Sequence, residues 1–143
     1  MRNAIICCVA VLSAGSGLFA VAANFDGKTN LLCTATEVYE CDAANACRVL
    51  GAEDAHDIRH MSVNFRNKTI TLDHIDSSHS SRIERVDTVD GKLVLQGIED
   101  GNNSEVDGGG WTLSIDDRYG TLVFTLAGEA VAFVGMGGCV SAD

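Results

Sequence analysis

The feature that most constrains this chain is an alternation of apolar and polar residues that begins near residue 61 and is broken at short intervals by turn-forming residues. Met61, Val63 and Phe65 alternate with Ser62, Asn64 and Arg66, and Asn67-Lys68 leads into Ile70, Leu72 and His74. Side chains point to opposite faces along a β-strand, so a period of two marks strands with one buried face. The polar run Asp76-Ser77-Ser78-His79-Ser80 reads as a separator before a strand over Arg82 to Val89. Asp90-Gly91 supplies the two positive-φ positions of a type I′ hairpin turn, and Leu93 and Leu95 continue beyond it. A loop from Glu99 to Gly109 precedes Trp111, Leu113 and Ile115. Asp117-Arg118-Tyr119-Gly120 returns the chain through Leu122, Phe124 and Leu126, and Gly128-Glu129 turns it into Ala130 to Val140. Before all of these, Asn30 to Glu40 reads as a first strand, and Asp42 to Arg59 as an irregular segment with room for a short helical turn.

Eight short strands in sequence order predict an all-β fold, a single antiparallel meander that forms a closed or nearly closed up-and-down barrel. Closure hides the sheet edges that otherwise invite aggregation. The absence of proline agrees, since few positions in a paired sheet can lose their N–H. A hydrophobic content of 46% excludes a disordered chain. An outer-membrane barrel is disfavoured because its strands need about 9 to 11 residues and aromatic girdles, whereas aromatics here are 6% of residues.

The first residues read as an export signal. Arg2 is followed by the apolar run Ala4 to Leu12, a Ser/Gly-containing stretch, and Ala20-Val21-Ala22, the small-x-small pattern of a cleavage site. The run is too short to span a membrane, which takes about 20 residues. Residues 1–22 are thus expected to be a signal peptide and residues 23–143 a disulfide-stapled barrel domain, with no membrane span after processing and a periplasmic or secreted location. Processing removes Arg2, Cys7 and Cys8, so the formal charge of −10 becomes −11 and four of six cysteines remain.

Four cysteines in an oxidising compartment read as two disulfides. Cys33 and Cys41 flank a continuous strand-like run, which at ~3.3 Å per residue holds them about 26 Å apart. A disulfide needs Cα atoms within about 7 Å. Of the two remaining pairings, Cys41 with Cys47 as a local staple and Cys33 with Cys139 joining the first strand to the last is preferred.

Sequence spacing offers few sites for chemistry. His56 and His60 stand four apart among acidic residues, so one helical turn would set both imidazoles on one face, as a metal ligand pair requires. His74 continues the inward face of Ile70 and Leu72 and would lie near a barrel mouth. Asp100 to Asp107 places oxygen donors at alternate positions, as a calcium loop does. Glu105 stands there where the EF-hand pattern needs glycine, and Trp111 where it needs glutamate. No nucleophile elbow, zinc-helix motif or phosphate-binding loop occurs, so no catalytic residue and no cofactor is assigned.

The strings Leu32-Cys33, Glu40-Cys41, Cys47-Arg48, Ala52-Glu53-Asp54, Asp90 to Gly101 and Gly110-Trp111 resemble small exported proteins of Gram-negative bacteria that have no assigned function. The resemblance implies an envelope location and a β-rich fold. An acidic balance of 20 Asp and Glu against 10 Lys and Arg argues against nucleic acid, whose affinity comes from clustered cations. It steers basic partners instead. The expected role is therefore a non-catalytic binding module for a basic protein or a small ligand. Two alternatives stand beside it. One is a small metal-dependent or histidine-using hydrolase. The other is an inhibitor of a basic envelope-active enzyme such as lysozyme, although the Ser-Ala-Ser-Gly-type motif of small periplasmic lysozyme inhibitors is absent.

Overall fold

A computed structural model describes residues 24–73, 78–99 and 108–142. Its elements run β1 (Leu31–Asp42), β2 (Ala46–Val49), α1 (His56–Arg59), β3 (His60–Asn64), β4 (Thr69–Asp73), β5 (Ser78–Val89), β6 (Lys92–Glu99), β7 (Gly109–Asp116), β8 (Thr121–Ala127) and β9 (Val131–Ser141). Every pairing is antiparallel, and β1 pairs along its whole length with β9. The eight strands β1 and β3 to β9 therefore close into an up-and-down barrel. The ninth strand, β2, shares one edge of β1 with β3: β3 takes Leu31 to Thr34, and β2 takes Tyr39 to Asp42.

The expected alternation carries the core. Leu93 and Leu95, then Leu113 and Ile115, then Leu122 and Phe124 point inward and are buried. Two aromatic rings fill space that glycine leaves on the facing strand. Trp111 pairs with Gly97, where a Cβ would fall 2.3 Å from both Trp111 Cζ2 and the Arg82 carbonyl oxygen. Phe124 pairs with Gly135, where a Cβ would fall 1.9 Å from the ring.

One end of the barrel, here the lower, holds the β3–β4, β5–β6 and β7–β8 turns and is stoppered by Phe25, which is buried. Gly120 suits that stopper twice, with φ of 67° and the Phe25 ring where its Cβ would be. At the upper end the chain between β2 and β3 folds over the opening and buries Leu50 and Ala55, while Ile58 of α1 packs against the core.

Both expected disulfides are present, Cys33–Cys139 and Cys41–Cys47, each between residues directly opposite in register with Cα atoms 4.0 Å apart. Cys33 and Cys139 are buried inside the barrel, at the β1–β9 seam that closes it. Two such bonds fit an oxidising environment outside the cytoplasm. No helix among the described residues is long and apolar enough to cross a membrane.

Two expectations are corrected. The segment after Asp42 is not wholly irregular, because Ala46–Val49 forms β2. All four of its residues are exposed, so no burial alternation marks it in the sequence. The separator ending at Ser80 is also too long. Ser78 to Ser81 belong to β5 and pair with β4, and Ser81 points inward opposite Ile70. A run of Ser and His carries turn composition, and here the ladder overrides it.

Candidate functional site

Among the described residues the inner part of the barrel offers little room. Its cavity measures about 30 Å³, lies under Ile58 at the upper end, and is lined mainly by Met61, Ile70, Leu72, Trp111, Leu113, Phe124 and Leu126, with Ser81 and Glu99 at its polar side. That holds a water molecule or two, and at the upper mouth Glu99, Gly109, Leu126, Gly128, Glu129 and Phe133 line a wider pocket of about 210 Å³. The Trp111 Nε1–H is buried without a hydrogen-bond acceptor among the described residues.

The anticipated ligand residues do not converge. His56 opens α1, but the helix ends at Arg59, and His60 is already extended with φ of −110° and ψ of 126°. The two histidines therefore do not share a helix face. His60 is exposed, and its Nδ1 lies 3.3 Å from Thr34 Oγ1 on β1. The His56 side chain, His74, Asp100 and Asp107 lie outside the described residues. Among the described residues no group of three or more His, Cys, Asp or Glu side chains is placed to hold a metal ion.

Surface charge is unevenly placed. Asp42, Glu53, Asp54, Glu99 and Glu129 lie in or beside the upper-end connections and outnumber Arg48 and Arg59 there, whereas at the lower end Asp26, Asp90, Asp116 and Asp117 are matched by Lys28, Arg66, Lys68, Lys92 and Arg118. Between the two ends the outward positions of β8 and β9 (Thr121, Val123, Thr125, Ala127, Val134, Met136, Gly138 and Val140) carry no charge. Leu32 extends that wall opposite Val140. Among these residues, Leu32, Val123, Met136 and Val140 are exposed large hydrophobics.

Several rim carboxylates are held by local donors. Asp116 accepts from Lys92 Nζ at 2.9 Å and from the Arg118 and Tyr119 N–H groups at 3.0 and 3.1 Å. These partners, the Lys92 ammonium first, lower its pKa from the usual 3.8. Asp42 is lowered by the Asn45 side chain, then by the Asn45 and Ala44 N–H groups. Asp26 is lowered by the Thr29 and Lys28 N–H groups.

The sheet also has an edge that closure does not remove. β4 covers β5 only from Ser78 to Arg82, with a last bond from the Ile83 N–H to the Lys68 carbonyl at 2.9 Å. Among the described residues β5 runs on to Val89 with β6 on one side alone. A groove of about 320 Å³ lined by Gly27, Phe65, Lys68, Ile83, Glu84 and Val86 follows the uncovered side. Sequence reasoning found this strand but not its open edge. The available signal was length, since an apolar run as short as β4 cannot cover one as long as β5.

No protein-family model, no curated protein and no solved structure matches this chain.

Proposed function

We propose that this is an exported, periplasmic or secreted, non-catalytic binding module that engages a basic protein through its outer surface. The observation that carries the reading is the packed centre of the barrel, where the described residues leave a cavity of about 30 Å³, so that recognition falls to the rims and the outer wall. The acidic upper rim supports a basic partner, because like-signed carboxylates around a rim sum to a field that steers cations. The wall of β8 and β9 offers an uncharged surface beside it, and apolar patches rimmed by polar groups are typical of protein contact sites.

Isothermal titration of the oxidised protein with a lysozyme-type basic enzyme, and separately with an acidic protein of similar size, tests this. Binding to the basic protein alone, weakening at least about tenfold as salt shrinks the Debye length from about 30 to 3 Å, is the expected result. Absence of heat with the basic protein at low salt, or an affinity indifferent to salt, overturns it. Loss of the enzyme's activity on binding would identify the module as an inhibitor.

A further inference from the structure

We infer that the open lower half of β5 is a self-association edge, pairing antiparallel with the same edge of a second copy of this chain. The backbone makes the edge available. Val89 and Lys92 flank the two-residue turn at Asp90 and Gly91, whose φ values are 45° and 72°. The residues flanking such a turn form a hydrogen-bonded pair, and bonded and non-bonded pairs alternate along an antiparallel ladder. Asp87 therefore bonds toward β6, while the N–H and C=O groups of Val86 and Thr88 point away from it. The Ile83 N–H, beyond the register shift between Ile83 and Arg85, points to that same side and reaches Lys68. Below Lys68 no backbone bond from a described residue meets the edge.

Charge selects the occupant. The molecule carries a formal charge of −10, yet Arg82, Glu84, Arg85 and Asp87 make this strand neutral. Two acidic molecules approach here with little repulsion. Pairing about Val86 sets the exposed Val86 against its counterpart, which exchanges two backbone hydrogen bonds. It also sets Arg85 opposite Asp87 of the second copy, and Asp87 opposite its Arg85. Within one chain these two side chains already share a face and form an ion pair. Opposite charges directly across a ladder stabilise it and like charges destabilise it. A single strand pair covers far less than the ~800 Å² per partner of a stable interface, so the dimer is weak and populated only at high concentration.

Sedimentation equilibrium of the oxidised protein from about 10 μM to 1 mM, in the range where interfaces below standard size operate, should show reversible dimerisation. Arg85→Asp alone and Asp87→Arg alone should each be monomeric, because each places like charges opposite one another. Their equimolar mixture should dimerise again, which loss of the intrachain ion pair cannot explain. Val86→Pro removes an edge N–H that β6 does not use, and should abolish the dimer with the circular dichroism spectrum unchanged. A wild-type protein monomeric at about 1 mM overturns the proposal. So does a mixture that stays monomeric, or self-association that survives Arg85→Asp, as pairing through the uncharged wall of β8 and β9 would.

Discussion

In a chain without proline, rigid turns need another device, and carboxylates supply it. Asp26, Asp42 and Asp116 each accept two backbone N–H groups two and three residues ahead, at 2.7 to 3.1 Å. This is the Asx arrangement that mimics a backbone turn. Each carboxyl lies below 3.8 in the folded state, so on acidification the unfolded chain takes up these protons first. Their stabilisation is complete above about pH 4, the unfolded value, and is lost as pH falls through the lowered folded values. Thermal melts should therefore shift down steadily below that pH. Asp116→Ala, which starts less stable, should lose less on the same acidification. Equal acid slopes for variant and parent would show that Asp116 does not contribute. The glycines facing Trp111 and Phe124 work by omission: Gly97 and Gly135 leave room for a ring to lie over the opposite strand.

At the scale of elements, β2 is an appendage to the barrel, because among the described residues it pairs only with β1 and buries none of its residues. Its Cys41–Cys47 bond closes a short loop, spanning six positions. The loop-entropy model gives such a bond about 2 kcal/mol. Replacing both cysteines by serine should leave barrel amides as protected from hydrogen exchange as before, while those of residues 46–49 exchange freely. Global stability should fall by no more than about 2 kcal/mol. Protection loss spreading into β8 would contradict this separation. The same distinction explains what could be read from the sequence. β6, β7 and β8 were legible because one face of each is buried and the alternation reports it. β2 was not, since an exposed strand held by a disulfide and backbone bonds leaves no hydrophobic period. The start of β5 was hidden behind Ser and His, whose turn preference is weaker than the ladder with β4. The open edge of β5 is a mismatch between two lanes of the sheet, a property of neighbours that no window along one strand contains.

For the whole molecule, the decisive feature is the seam between β1 and β9. In the sequence, excluding one cysteine pairing leaves two, and the bond from the first strand to the last is a preference between them that fits closure of the meander. The structure adds where the bond lies, inside the barrel, with Cys33 and Cys139 buried. The candidate ligand residues were less legible, because the four-residue spacing of His56 and His60 means a shared face only if one helix holds both. The seam has a mechanical consequence. Tension applied to the two ends of the chain enters the fold at residues 24–33 and leaves it at 139–142, and the Cys33–Cys139 bond carries it across. The chain between the bonded cysteines, which stand 106 positions apart, is bypassed by the load. Stretched between two tethers, the oxidised protein should lengthen only by its tails. A dithiol added under tension should release a further step of about 350 Å, the extended length of the bypassed chain. A step of that size before reduction would mean the load path runs elsewhere. The barrel is in this sense a covalent ring, folded inside a loop that force along the chain cannot open.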